Sequence, residues 1–459
     1  MILFYIVLVL GLSTVFWTVA GLMRLATEQC VRAVAAVRQF KVHHAGTLNP
    51  FRSVGDYLDV PLAEKPFLTP EEMARHRSRG MRIKPWSVAV LIAAHNEAMV
   101  ITETIRTVAV LVPLHNIHVI DDKSTDETAS IARAAGVRVL ELERNKGKAG
   151  ALAAGIEYFE LCRRFKVVMV LDADTRPTPD YLTTGLPLFD DPSVVAVAGR
   201  AKSIMDPPAP TWLGRFLVNY RERLYIVVQL LLKYGQAARG ANVVSIVPGF
   251  ASMYRTTALE KINILALGLV IEDFNMTFEV HAQKLGRIAF HPGAAVAYTQ
   301  DPDTFADYIR QVRRWQLGFW QTVRRHKGQL SRFWLVLGIY IVELVASSLF
   351  FVLLIPAFLL SLVAAAAVAA GDHNTGLAIV AGFLRPQDVL IGVFLPDLLL
   401  TLLAVFSLRK PSLLLMAPLF PFMRIVDAAI CLRALPAAFS ATSSGAWTSP
   451  TRRVQRSTV

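Results

Sequence analysis

Lys166-Val167-Val168-Met169-Val170-Leu171-Asp172-Ala173-Asp174 is the stretch that decides how this chain folds. Its five consecutive apolar residues, three of them Val, read as a strand buried on both faces. The run stops at two carboxylates that flank one small residue. Successive side chains of a strand point to opposite faces, so Asp172 and Asp174 are expected to project the same way with Ala173 turned aside. Ligands of open α/β sheets bind beyond the carboxyl ends of the strands, which is where this pair would lie. Two such carboxylates repel and raise each other's pKa unless a cation sits between them. Hard oxygen ligands of this kind suit Mg²⁺ or Mn²⁺, with the remaining positions left for water and a diphosphate. An Asx turn into Pro177 is the competing reading of the same residues.

Outward from this run, strands and helices alternate. Ser87–Ala93 reads as a strand, followed by the turn His95-Asn96-Glu97 and a helix from Ala98 to Leu111. Ile117–Ile120 is a second strand, ending in Asp121-Asp122. Lys123-Ser124-Thr125-Asp126-Glu127-Thr128 then supplies the cap and early acids of a helix reaching Ala135. Val137–Leu142 is a third strand, and Asn145-Lys146-Gly147-Lys148-Ala149-Gly150 turns the chain into a helix over Ala151–Cys162. Downstream come a strand at Val194–Gly199, a long amphipathic helix at Trp212–Tyr234 and a turn at Pro248-Gly249-Phe250. Two more helices follow, Phe274–Lys284 after Ile271-Glu272-Asp273, and Asp303–Arg325 carrying Gln311, Arg313, Arg314, Trp315 and Trp320. This alternation with short connections predicts a doubly wound, mostly parallel α/β sheet with acidic turns along one edge.

Composition sets the rest. The 459 residues are 54% hydrophobic and 18% charged, with a mean hydropathy of +0.44. That is too apolar for an ordinary soluble enzyme and too charged for a wholly buried bundle, so a soluble domain joined to membrane helices is expected. A net charge of +13 calls for an anionic neighbour: lipid headgroups, nucleic acid or a phosphate-bearing substrate. The basic residues cluster near the apolar spans and not along an aromatic-studded face, which favours membrane lipids over nucleic acid. Cys30, Cys162 and Cys431 have no paired spacing, so neither a disulfide framework nor a zinc site is indicated, and a reducing compartment fits.

Ile2 to Met23 is an uninterrupted apolar run long enough to cross a bilayer. Arg24, Arg32, Arg38 and Lys41 follow it and no positive residue precedes it. The positive-inside rule therefore places the following domain in the cytoplasm of an integral membrane protein. Phe333–Ala370 exceeds one crossing, with Pro356 marking a kink or a hairpin, and Val389–Leu408 is a second span. Ser412–Leu435 is a third, crossing or interfacial, and contains Pro418, Pro421, Arg424 and Asp427. The division expected is a membrane helix at 1–23, a Pro-broken linker at 24–85 and an α/β domain at 86–302. An amphipathic interface region at 303–332, transmembrane or interfacial helices at 333–435 and a basic tail at 436–459 bearing Trp447 complete it.

Acidic groups fall at strand ends or turns in four places: Glu97, Asp121/Asp122, Asp172/Asp174 and Glu272/Asp273. Lys148 lies at a helix start, where free N–H groups already favour anions, and Arg313 and Arg314 add fixed positive charge. Carboxylates for a metal, cations for a diphosphate and a spare carboxylate describe transfer of a group from a nucleotide-diphosphate donor to a hydroxyl. The motifs Ala93-Ala94-His95-Asn96-Glu97, Asp121 to Asp126, Asn145 to Ala149, Asp172-Ala173-Asp174, Glu272-Asp273 and Gln311-Val312-Arg313-Arg314-Trp315 stand in a telling order. In that order they resemble membrane-embedded family-2 glycosyltransferases, and in particular the processive cellulose, hyaluronan, chitin and poly-N-acetylglucosamine synthases.

The resemblance covers Ser87 to Gln321 in detail and implies a GT-A fold. It implies that Asp121 and Asp122 hold the nucleotide, that Lys148 meets the diphosphate, and that Asp172 and Asp174 contact nucleotide and metal. Asp273 would be the base that deprotonates the acceptor for inverting transfer. Arg314 would neutralise the diphosphate, Trp315 would stack under the acceptor, and Glu97, Glu272 and Gln311 would line the substrate site. A UDP-sugar is the expected donor, Mg²⁺ or Mn²⁺ the cofactor, and a growing β-linked polysaccharide the acceptor, with an accessory export subunit or a homo-oligomer as partner. Ile271 stands where the family often has Thr. Single transfer to a lipid, as in ceramide glucosyltransferase-like proteins, is the second enzyme reading. A transporter or scaffold that binds nucleotide sugar without turnover is the reading of a different class. It lacks a series of spans with charges lining a path.

Overall fold

A computed structural model describes residues 2–42, 82–266, 268–326, 328–371 and 374–440. Most of the expected linker, with Pro61, Pro66 and Pro70, and the basic tail with Trp447 lie outside the described residues. Among the described residues ten strands form two sheets. They are β1 (Val88–Ala94), β2 (Ile117–Asp121), β3 (Arg138–Glu141), β4 (Val167–Asp172), β5 (Arg176–Pro177), β6 (Val194–Ala198), β7 (Arg200–Ser203), β8 (Ala251–Arg255), β9 (Arg287–Ala289) and β10 (Val296–Thr299). The main sheet runs β3-β2-β1-β4-β8-β6-β9, and a small sheet runs β5-β10-β7. Parallel pairing joins β3, β2, β1 and β4, and again β6 and β9, while β8 is antiparallel to both of its neighbours.

The apolar runs explain why β1 and β4 are central. Val88, Val90 and Ile92 enter one core with Val167, Met169 and Leu171, whereas Ala89, Leu91, Ala93, Val168 and Val170 enter the core on the opposite face. Each fully buried Val, Leu or Ile is worth about 1.5–3 kcal/mol, so a strand apolar on both sides belongs in the middle of a two-faced sheet. In register, Ala94 pairs with Asp121 and Ala93 with Asp172. The acidic ends of β2 and β4 therefore flank the end of β1 at one level.

Several expectations change. β4 ends at Asp172 and Asp174 sits in the turn beyond it, so strand alternation does not align the two carboxylates. The helix expected from Ala151 begins at Gly147, which puts Lys148 in its first turn. The expected uninterrupted N-terminal span is broken: Ile2–Leu10 and Leu12–Val42 are separate helices that meet at Gly11, where φ is +80°. Arg332–Ala369 is one continuous 38-residue helix through Pro356, with no hairpin there. Ser412–Leu435 resolves into two short 3₁₀ turns followed by the Phe420–Ser440 helix. Among the described residues, two helices, Arg332–Ala369 and Thr375–Leu408, are long and apolar enough to cross a membrane, or three if the bent N-terminal pair is counted.

Candidate functional site

The ends of β1, β2 and β4, the first turn of the Gly147–Tyr158 helix, the Pro248–Phe250 turn and the start of the Asp273–Ala282 helix converge on one edge of the main sheet. At its centre is Lys148. Its Nζ lies 2.7 Å from Asp172 Oδ1 and 2.9 Å from Glu272 Oε1, and it donates to the Gly249 carbonyl at 3.2 Å. Burial alone would lower the Lys148 pKa, but Asp172, Glu272 and Asp273 outweigh it and hold the ammonium charged, well above its ordinary value. Asp172 is raised by burial and by Asp174, against the pull of Lys148. Asp273 is pushed up to about 6, first by burial and then by Glu272. Its carboxylate accepts from the Phe274 N–H at 2.9 Å and the Gly249 N–H at 3.3 Å.

Gly249 makes this convergence sterically feasible. A Cβ there would meet Glu272 Oε1 and Lys148 Nζ at 3.0 Å and Asp273 Cβ at 3.2 Å. A side chain at this position would push these three groups aside by a few tenths of an ångström. On the flank of β1, Asp121 Oδ2 accepts from the Ser124 N–H at 3.0 Å, while its buried Oδ1 has no hydrogen-bond partner among the described residues. Asp122 Oδ1 accepts from the Lys146 N–H at 2.7 Å, and burial raises its pKa. Glu97 is fully buried in the turn after β1, its N–H donating to Thr128 Oγ1 at 2.9 Å.

The third group lies on the Phe305–Arg325 helix. Gln311, Arg314 and Trp315 share one face by their spacing of three and four. Gln311 Oε1 accepts from Arg221 Nη2 at 2.8 Å, and the Arg221 guanidinium lies 4.5 Å over the Trp315 ring. Arg314 is exposed on this helix. Sequence reading missed Arg221, which is 1% exposed and also pairs with Asp301 at 3.6 Å. The run Arg221-Glu222-Arg223 was the available signal, since three charges in a row on an amphipathic helix need burial partners. Lys233, also missed, is buried; burial pushes it down to about 8 although Asp273 pulls the other way.

Ile271, the departure from Thr, has a packing reason. A Cβ on Gly318 would lie 2.0 Å from Ile271 Cγ1, so this side chain occupies the space a glycine leaves on the Phe305–Arg325 helix. Gln321 Oε1 accepts the Val270 N–H at 3.0 Å beside it. The Glu272–Asp273 turn is thus clamped to the helix that carries Gln311 and Trp315.

Among the described residues no three His, Cys, Asp or Glu side chains form a ready-made metal cage. A cation held by one or two carboxylates and completed by water and phosphate oxygens needs none. Asp172 and Asp174 are hard donors at the sheet edge, and Asp174 makes Asp172 costlier to ionise, so they fit a divalent cation shared with a diphosphate once the Lys148 ammonium leaves Asp172 for that diphosphate.

Residues 89–263 match the sequence profile of glycosyl transferase family 2. The chain is 29% identical over 244 residues to the probable glycosyltransferase YdaM of Bacillus subtilis (strain 168), covering 50% of this chain and 54% of that protein. It is 25% identical over 256 residues to the uncharacterized glycosyltransferase YaiP of Escherichia coli (strain K12), covering 54% and 61%. In both cases the chain spans less than two-thirds of the relative's length. Among solved structures it is similar to the mannosyltransferase PcManGT from Pyrobaculum calidifontis in complex with GDP-Man and Mn²⁺. The TM-score is 0.47, the identity 18%, and the coverage 80% of this chain and 93% of that one. The sheet order and the profile match agree: residues 89–263, which match glycosyl transferase family 2, lie on a mostly parallel α/β sheet of order β3-β2-β1-β4-β8-β6-β9.

Proposed function

We propose that the protein is a membrane-bound, inverting glycosyltransferase that moves a sugar from a nucleotide-diphosphate donor, a UDP-sugar in the first instance, to a growing β-linked polysaccharide. The observation that carries this reading is the nest in which Lys148 Nζ bridges Asp172 and Glu272 while Asp273 stands beside them, pushed up to about 6. An ammonium held between carboxylates is what a diphosphate and its counter-ion would displace and recruit.

In this reading Asp121, with a buried acceptor oxygen to offer, and Asp122 hold the nucleoside, and Glu97 supports them. Asp172 and Asp174 hold Mg²⁺ or Mn²⁺, which when bound offsets charge on the leaving diphosphate. Lys148 turns from Asp172 to the diphosphate, and Arg314 adds a second cation. The acceptor hydroxyl loses its proton to Asp273, its oxygen bonds to the anomeric carbon, and the bond to the diphosphate oxygen breaks with inversion. Glu272 holds Lys148, while Gln311, positioned by Arg221, and Trp315 carry the acceptor sugar.

A second reading has its own support. The two or three candidate spans among the described residues give few walls for a closed polymer passage, which favours single transfer to a lipid. One experiment separates the two. The purified chain in detergent is given Mn²⁺ or Mg²⁺, a panel of UDP- and GDP-sugars, and membrane lipid, and nucleotide release is read with product size. A ladder supports polysaccharide extension and a single glycolipid the lipid reading. No release with any donor, beside binding that is insensitive to chelation, sinks the transferase mechanism.

A further inference from the structure

The broken N-terminal helix presents two opposed faces. On Leu12–Val42, Ser13, Trp17, Gly21, Arg24 and Glu28 fall within one sector at 100° per residue. This sector docks on the family 2 domain's helical segment ending at Gln236. Arg24 Nη1 donates to the Tyr234 carbonyl at 2.9 Å, and the Tyr234 hydroxyl donates to Glu28 at 2.9 Å. A Cβ at Gly235 would lie 2.2 Å from the Trp17 carbonyl oxygen, so the two helices meet backbone to backbone. On the far side, Leu12, Val15, Phe16, Val19, Leu22 and Met23 form a stripe roughly 120° wide, set by 3.6 residues per turn. These six are 45–65% exposed.

The break is built, not frayed. Glu343, from the long Arg332–Ala369 helix, accepts the Ser13 N–H at 2.9 Å, and Arg424 donates to the Val9 carbonyl. Both free helix ends at Gly11 therefore meet a charged side chain from another helix. Ile2–Leu10 packs on the Pro386–Leu408 helix, where a Cβ at Gly392 would meet Tyr5 at 2.4 Å. Leu12–Cys30 turns 72° from that segment. A rod of its length, roughly 28 Å, then advances only about 9 Å along the segment's direction, far short of a hydrocarbon core of about 30 Å.

We infer that Leu12–Cys30 lies flat on the membrane leaflet next to the family 2 domain, with the Leu12-Val15-Phe16-Val19-Leu22-Met23 stripe in the acyl boundary and its opposite face gripping that domain. Lipid is the occupant because the stripe lies beside the apolar Arg332–Ala369 helix, whose exposed side carries Leu335, Val342, Leu349 and Leu353 and whose Glu343 holds the Ser13 N–H. The inference rests on reading those helices as membrane spans and not on the transfer chemistry.

The test is depth-resolved fluorescence quenching of the full-length chain in vesicles of phosphatidylcholine and phosphatidylglycerol brominated at defined acyl positions. A single labelled cysteine replaces Leu12, Phe16, Val19, Leu22 or Met23 in a chain whose Cys30, Cys162 and Cys431 are changed to Ala, with Leu353→Cys as the deep reference. A flat helix gives one shallow depth, roughly 5–10 Å into the boundary, at all five positions. A crossing helix gives a depth that changes by about 1.5 Å per residue, roughly 16 Å between Leu12 and Met23, and overturns the inference. Absence of quenching on the stripe with deep quenching at Leu353 means that water or protein covers it, and also overturns it. Absence at Leu353 as well removes the membrane reading itself.

Discussion

Two clusters of buried charge lie in this molecule, and they differ in balance. At the sheet edge Lys148 contacts Asp172 and Glu272 with Asp273 beside them, Asp174 acts on Asp172, and the acids push one another's pKa upward. Between the Trp212–Ile226 helix and the apolar helices, Asp397 is held by Arg223 at 2.7 Å and Arg424 at 3.6 Å, and Arg223 Nε donates to Thr401 at 3.0 Å. Nearby, Asp427 accepts from the Tyr220 and Tyr308 hydroxyls at 2.8 and 2.6 Å. Every acid of the second cluster has its complement from the protein. At the first, Asp172, Glu272 and Asp273 outnumber the Lys148 and Lys233 ammonium groups near them. Surplus charge marks a place where something binds, whereas matched charge marks a joint.

That contrast can be broken by substitution, beginning with the largest effect. Asp273→Asn is expected to lower transfer by about 10²–10⁴ while donor binding persists, because the proton acceptor alone is lost. Nucleotide release and donor titration measure the two separately, and full activity in this variant removes Asp273 from the base role. Asp397→Asn should instead act on folding, at about 3–5 kcal/mol, since it leaves Arg223 buried without its counter-charge. Thermal unfolding in detergent reads this, and an unchanged melting temperature would show that the joint is not one. Turnover per folded molecule should stay near the parent value.

Gly318→Ala tests the clamp between the two catalytic elements. The new methyl would force Ile271 aside and misplace Asp273, for an expected loss of about 10² in kcat, and Ile271→Ala in the same chain, which removes the clashing Cγ1, should restore part of it. The smallest effect is set by pH. Asp273 is pushed up to about 6, so its carboxylate is lost as pH falls through that value. The rate should drop by about tenfold per unit below it, while Lys148 stays charged throughout. A flat rate profile between pH 5 and 7 would separate the base from this carboxyl.

How far the sequence could be read depended on the reach of each interaction. The Val167–Leu171 run, the acidic strand ends and the Gln311-to-Trp315 spacing were legible because period and turn chemistry are local. β8 was not read as a strand, since Ala251-Ser252-Met253-Tyr254-Arg255 owes its place to antiparallel pairing with β4 and β6. The N-terminal run read as one span because Gly11 looks harmless among apolar neighbours; its break is held by Glu343 and Arg424, more than 300 residues away.

By itself, then, the sequence determined an α/β domain with acidic strand ends and apolar helices around it, because burial and periodicity are properties of short stretches. Which charges meet was decided only in three dimensions: Lys148 between Asp172 and Glu272, Arg221 over Trp315, Ile271 against Gly318. Those pairings join residues 24 to 124 positions apart in the chain, and no local pattern records a contact that exists only after the sheet has closed its edge.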